Sequence, residues 1–210
     1  MLKVHEIFAS IQGESSYAGW PCGFLRLSGC NLACRWCDTL HAGDSYAEMT
    51  VADATAALAG LGLPLVEVTG GEPLLAPQTP ELVKRLCDLD LTVLVETNGS
   101  FDIAVLDARA TAVVDVKCPG SGMEHRNDYG NLERLRPHDE VKFVLADRTD
   151  YDFALDIASR IWRTHIVHFS PVAATLAPAD LAAWMVADRV QARLGLQLHK
   201  HIWSPDARGV

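Results

Sequence analysis

Three thiols carry the clearest chemistry in this chain. Cys30, Cys34 and Cys37 follow one another as Cys-x3-Cys-x2-Cys, close enough to face a common centre. Soft thiolates select zinc or an iron–sulfur cluster. Zinc has a candidate fourth ligand in His41, three residues beyond Cys37, although no second pair of ligands follows at the longer separation usual for structural zinc. A four-iron cluster on three cysteines would leave one iron without a protein ligand, and an open metal position is a catalytic feature.

Other residue types suggest a pocket around that centre. Gly70-Gly71-Glu72-Pro73 pairs glycines that let backbone approach a ligand with a carboxylate that can accept from an ammonium; alone it reads as a turn. Asp38-Thr39 reads locally as a capped turn. Ile11-Gln12-Gly13-Glu14 reads locally as an exposed turn with polar side chains on either side of a glycine. Arg26 interrupts an apolar run and needs an anion, either a ligand carboxylate or an internal salt bridge. His199 could face a ligand or be a satisfied core histidine. Cys22 and Cys87 read as buried, inert thiols, and Cys118 is ambiguous, because a fourth ligand would close the open iron.

The elements that would position these residues alternate along the chain. Strands are expected at Phe24–Ser28, Leu65–Thr69, Thr92–Glu96, Ala112–Lys117, Glu140–Leu145, His165–Phe169 and Leu196–His199. Runs such as Val93-Leu94-Val95 suit strands covered on both faces. Helices are expected after Thr50, capped with Asp53 three residues on; after Thr79-Pro80; after Thr149 with Asp152; and from Pro178 to Leu194. The polar, glycine-rich stretch 121–131 reads as a loop. Alternating strands and helices predict a parallel sheet with right-handed crossovers. Polar residues gather at the C-terminal end of nearly every strand, which favours a βα barrel over a doubly wound sheet with one switch point.

The whole-chain numbers set limits. With 210 residues the chain predicts one domain, 1–210, yet it is short for a full eight-stranded barrel of about 250 residues. A net charge of −9 argues against direct binding of nucleic acid or an anionic membrane. The N-terminus has no apolar signal core, no apolar run is long enough to span a bilayer, and the clustered thiols suit a reducing cytoplasm.

The thiol loop, with Trp36 before its last cysteine, and the Gly-Gly-Glu-Pro motif resemble the signatures of radical S-adenosylmethionine enzymes. The N-terminal Gln-Gly-Glu and Phe24-Leu25-Arg26-Leu27 segments, Cys37-Asp38-Thr39, Glu96-Thr97-Asn98-Gly99, Asp115-x-Lys117-Cys118-Pro119, Asp139-Glu140-Val141-Lys142 and Gln197-x-His199-Lys200 are similar to 7-carboxy-7-deazaguanine synthases, from residue 6 to about 203. The resemblance implies an α/β fold, a shortened partial (βα) barrel of about six parallel strands with a reduced helical coat. It implies a lyase that rearranges 6-carboxy-5,6,7,8-tetrahydropterin to 7-carboxy-7-deazaguanine with loss of ammonia, for queuosine and other 7-deazapurines. The cofactors implied are a 4Fe-4S cluster on Cys30, Cys34 and Cys37, S-adenosylmethionine, and Mg²⁺ on Thr39. Ile11, Gln12, Gly13, Glu14, Arg26, Thr69 and His199 would contact substrate. Trp36, Cys37, Asp38, Gly71, Glu72, Lys117, Cys118, Pro119, Ser170 and Pro171 would contact S-adenosylmethionine. An external electron donor and a homodimer are implied as well. The residues after Trp203 run past the end of some relatives, so a terminal-carboxylate contact is not carried over to Val210. The alternatives are another short radical enzyme, such as a glycyl-radical activase, and a zinc-stabilised binding module.

Overall fold

The computed structural model describes residues 1–39, 43, 45–204, 207 and 209. A long N-terminal strand, β1 (Leu2–Ile11), pairs antiparallel with β2 (Pro21–Leu27), and short β3 (Ala47–Met49) covers its other edge. From β2 onward every pairing is parallel: β4 (Leu65–Gly70), β5 (Thr92–Thr97), β6 (Thr111–Asp115), β7 (Glu140–Leu145), β8 (Ile166–Pro171) and the two-residue β9 (Arg193–Leu194). The sheet order is β3-β1-β2-β4-β5-β6-β7-β8-β9. Each parallel strand lies beside its predecessor, so the order never reverses and no switch point exists. That is barrel winding left open, with six longer parallel strands, β2 and β4 to β8.

The helical coat is thin. α1 (Val51–Ala59), α2 (Thr79–Asp88), α4 (Arg148–Ala158) and α5 (Pro178–Ala187) are full crossovers. Between β5 and β6 there is only a 3-10 turn at Ile103–Val105, and the β6–β7 crossover holds two such turns and the single-turn α3 (Asn131–Arg134). The polar 121–131 stretch is thus mostly loop, as expected. Thr50 caps α1 by accepting from the Asp53 amide at 3.0 Å. The α4 cap is Asp147, accepting from the Asp150 amide at 3.0 Å, and not Thr149. At α2 the Thr79 hydroxyl donates back to the Pro73 carbonyl, and Gln78 holds the cap position without a side-chain bond.

One strand was not anticipated, and two expectations need correction. β1 carries too many half-polar positions to read as a strand, because one of its faces lines a cavity. The helix from Pro178 stops at Ala187, and Arg189 then takes a left-handed φ of 53°. Leu196–His199 is not a strand. The Gly195 amide still pairs with the Phe169 carbonyl at 2.8 Å, but the Leu198 amide donates to the Gly13 carbonyl at 3.0 Å. The chain therefore leaves the sheet and crosses to the loop after β1, where His199 opens the short α6 (His199–Ile202).

Alternate residues of each strand face opposite ways. Leu25, Val66, Val68, Val93, Val95, Val114, Val141, Phe143, Val167 and Phe169 join the main core beneath the helices. On the concave side, Cys22, Phe24, Leu65 and Leu94, with Phe8 and Tyr17 against them, make a second, smaller apolar floor. Above that floor the concave face turns polar.

Candidate active site

The C-terminal ends of the strands open into a cavity of about 820 Å³. The loop after β2 brings Cys30, Cys34 and Cys37 to its wall; all three thiols are free, Cys30 exposed and the others half-buried. Cys30 Sγ accepts from the Leu32 amide at 3.4 Å and from Asn98 Nδ2 at 3.7 Å. Asn98 also donates to Asn31 Oδ1 at 3.0 Å, and Asn31 to Ser100 Oγ at 2.9 Å, so the loop is tied to the end of β5. From the other side the Arg35 amide donates to the Ser121 carbonyl at 3.1 Å. Burial pushes the Cys34 thiol up, against the pull of Lys117, and the Cys30 and Cys37 thiols add to the rise.

This donor set fits a multinuclear cluster better than a single ion. Among the described residues no three His, Cys, Asp or Glu side chains gather closely enough to hold one metal ion. Thiolates on a four-iron cluster attach to different irons and stand farther apart. N–H donors aimed at a ligating sulfur are the contacts that orient and tune such ligands. His41, the candidate zinc ligand, lies outside the described residues, as does Val210.

The glycine pair explains how β4 meets the thiol loop. A Cβ on Gly71 would fall 2.3 Å from the Gly29 carbonyl oxygen, so only glycine fits there. The Glu72 amide donates to that carbonyl at 2.9 Å. Gly71 lines the cavity; Glu72 does not. Its carboxylate is 1% exposed and accepts from Thr97 Oγ1 at 2.8 Å and the Leu74 and Asn98 amides at 2.9 and 2.7 Å. Glu72 therefore fastens β4 to β5 and leaves glycine backbone at the cavity wall.

The remaining wall is unusually charged. Arg26 Nε binds Glu6 at 2.7 Å, the internal salt bridge that its position in an apolar run allowed, and this uses Nε alone among its donors to described residues. Lys142 Nζ binds Glu14 at 2.8 Å and Glu96 more closely, with Asp115 at 3.9 Å. Burial would raise the Glu14 carboxyl, but Lys142 outweighs it and holds the group down at about 2. Lys117 binds Asp115 at 2.7 Å, and Lys200 binds Asp38 at 3.0 Å. Burial pushes Asp38 up and the Lys200 charge more than offsets it, leaving the group below its ordinary value.

Most of the residues singled out in the sequence meet here. Ile11, Gln12, Gly13, Glu14, Arg26, Trp36, Asp38, Thr39, Thr69, Lys117 and His199 all line the cavity with the three cysteines. The crossing segment 197–200 closes one side: Gln197 Nε2 donates to Glu14 at 2.8 Å, and a Cβ on Gly13 would sit 2.4 Å from His199 Nδ1. Burial lowers the His199 pKa, with Glu14 pulling the other way. Trp203 lines the same cavity.

Five residues are not brought to the wall: Glu72, which fastens β4 to β5, and four more. Cys118 is 1% exposed and joins the core beneath the helices. Pro119 is exposed and starts the turn on which the thiol loop rests. Ser170 and Pro171 are buried, because the chain at Gly195 passes over the Ser170 hydroxyl; Val172 and Ala173 take their place. Glu6 and Glu67 are wall residues that motif reading missed, and Asp115, quoted in a motif without a role, joins them. Their signal was a charge at alternate positions of otherwise apolar strands, as in Val66-Glu67-Val68.

An open βα barrel with three loop thiols at its C-terminal mouth is the architecture of a cluster-bearing radical enzyme, and residues 25–146 match the Radical SAM superfamily. The chain is 45% identical to the 7-carboxy-7-deazaguanine synthase of Chlorobaculum tepidum, over 100% of this chain and 97% of that one. It is 42% identical to the enzyme of the same name from Koribacter versatilis, over the full length of both. In fold it is similar to QueE from Escherichia coli, with a TM-score of 0.77 at 23% identity over 93% of each chain. The chain belongs to the 7-carboxy-7-deazaguanine synthase family of the radical SAM superfamily.

Proposed function

We propose that this chain is a radical S-adenosylmethionine lyase that converts 6-carboxy-5,6,7,8-tetrahydropterin to 7-carboxy-7-deazaguanine and ammonia, within 7-deazapurine biosynthesis. The observation that carries the reading is one cavity holding both halves of the required chemistry. Cys30, Cys34 and Cys37 stand on its wall together with Gln12, Glu14 and Arg26. Family membership along the whole chain supports the same reaction.

Cys30, Cys34 and Cys37 would hold the 4Fe-4S cluster, which with S-adenosylmethionine supplies a hydrogen-abstracting 5′-deoxyadenosyl radical. The chain's own residues bind and orient. The backbone at Gly71 and the Trp36–Asp38 stretch are placed to meet S-adenosylmethionine. Arg26 keeps the outer edge of its guanidinium for a substrate carboxylate, since Glu6 occupies only Nε. Thr69, at the end of β4, and His199, across the mouth, would bracket the heterocycle. The segment 197–204 narrows the opening, which suits a small substrate and limits water at the radical step.

An Mg²⁺ ion at Thr39 is part of the reading. Its hydroxyl lines the cavity 3.6 Å from Cys37 Sγ, and Mg²⁺ needs few protein ligands. The family resemblance supports an external electron donor and a homodimer. Among the described residues no helix is long and apolar enough to cross a membrane.

The test is anaerobic reconstitution with iron and sulfide, then reductant, S-adenosylmethionine and the carboxypterin. Iron–sulfur absorbance and a product of the deazaguanine mass are expected. One zinc per chain without that absorbance would overturn the radical reading. S-adenosylmethionine cleavage without deazaguanine would overturn the substrate and point to an activase.

A further inference from the structure

The carboxylates around the cavity differ in one respect. Glu6, Glu14, Asp38, Glu96 and Asp115 each lie within 4 Å of a lysine or arginine nitrogen. Glu67, on β4, has no such ion pair among the described residues, Lys142 acting on it only from farther away. Its only hydrogen-bond partner there is the neutral amide of Gln12, whose Nε2 donates to Oε2. Gln12 cannot turn its carbonyl to Glu67, because Oε1 accepts from the Glu14 amide at 3.0 Å. Glu67 is 4% exposed, yet it lines the cavity.

A buried carboxylate without a cation is costly unless donors reach it. Burial, and the neighbouring Glu96 and Glu14 carboxylates, push its carboxyl well above the usual range, against the Gln12 bond and Lys142. Among the described residues no donor besides Gln12 reaches its oxygens, so lone pairs are left for a ligand. Phe8 and Phe24 also line the cavity beside it; their rings stack 5.1 Å apart at an interplanar angle of 13°. The stacked pair puts apolar surface next to an acceptor.

We propose that Glu67, held in place by Gln12, is the residue that recognises the aminopyrimidinone edge of the substrate, accepting from its amino group and the adjacent ring N–H beside the apolar Phe8–Phe24 pair. This rests on the pterin reading above and assigns the specificity to one side chain. Glu14 is a poorer candidate, because Lys142 and Gln197 already occupy its two oxygens.

The test measures binding rather than turnover, on the reconstituted holoenzyme with S-adenosylmethionine and no reductant. Two ligands are titrated: the carboxypterin and its 2-oxo analogue, in which a carbonyl replaces the amino group. Wild type should prefer the 2-amino compound by at least about tenfold, because a site built to accept rejects a second acceptor. Glu67→Gln, whose amide can donate to the 2-oxo group, should erase or reverse that preference and leave S-adenosylmethionine affinity unchanged. Glu67→Asp should bind both ligands more weakly and keep the preference. Equal binding of the two ligands by wild type overturns the proposal without any variant. A Glu67→Gln protein that loses affinity for both alike, or for S-adenosylmethionine, overturns it too. If wild type discriminates and binds but forms no deazaguanine, the reaction fails and the recognition role stands. If it binds neither ligand, both fall.

Discussion

Phe143 and Lys142 are neighbours on β7 and belong to opposite regimes. Phe143 points beneath the helices, fully buried, its ring edge-on to Phe169 at 5.7 Å. Lys142 points into the cavity, also buried, and is held by Glu14 and Glu96. The same contrast repeats along the sheet: Val68 against Glu67, Val95 against Glu96, Val114 against Asp115. One face of each strand contributes stability through apolar burial at about 25 cal/mol per Å². The other face holds charges that pair with one another across the cavity and gain little net stability. The strand period of two lets one short segment serve both purposes.

The largest expected effect is on the cavity side and touches function alone. Cys34→Ala should abolish iron–sulfur absorbance and turnover, while the unfolding midpoint of the unreconstituted chain stays nearly the same. Retained absorbance and activity would remove Cys34 from the cluster. On the helix side the pattern should invert. Phe143→Ala should lower stability by about 3–5 kcal/mol through the cavity it leaves. If denaturant titration shows a loss below about 1 kcal/mol, the main core is not the source of stability.

Lys142→Met sharpens the contrast, because its cost should depend on pH while that of Phe143→Ala should not. Removing one member of a buried ion pair costs about 3–5 kcal/mol when the partner charge stays behind. Glu14 is held at about 2 against a usual 4.5, so its share of stability is present above 4.5 and lost as pH falls toward 2. The deficit of Lys142→Met should therefore be full at neutral pH and shrink as the solution is acidified. A deficit independent of pH would mean that Lys142 acts by packing.

The apolar half of this design was the legible half. Val93-Leu94-Val95 and Val113-Val114 announce strands by composition, and the thiol loop announces its chemistry by spacing. β1 was hidden because its cavity face carries Glu6 and Phe8 in place of a clean alternation, and its partner strand lies ten residues downstream. The path of residues 195–204 was hidden as well. It depends on the Leu198–Gly13 and Gln197–Glu14 bonds, which span more than 180 positions and leave no local pattern. Cys118 and Ser170 sit in motif positions, but their orientation follows from strand parity and from the chain passing over them. Glu67 carried a visible signal, an acid between two valines. Its meaning needed the census of cations around it.

The finest contrast is between Glu67 and its cation-paired neighbours, and it predicts a change of opposite sign to that at Lys142. The folded chain holds the Glu67 proton more tightly than the unfolded chain does, because burial and the Glu96 and Glu14 charges disfavour ionisation. Stability from this group is therefore full below the ordinary carboxyl value of 4.5 and is lost as pH rises toward the raised folded value. Glu67→Gln keeps the shape, keeps an acceptor for Gln12 and has nothing to ionise. Without ligands, it should match wild type near pH 4 and exceed it near pH 8, read as a higher Tm at the alkaline end only. Parallel stability curves for the two proteins would show that Glu67 is already charged and satisfied in the empty cavity, and its distinction from the paired carboxylates would vanish.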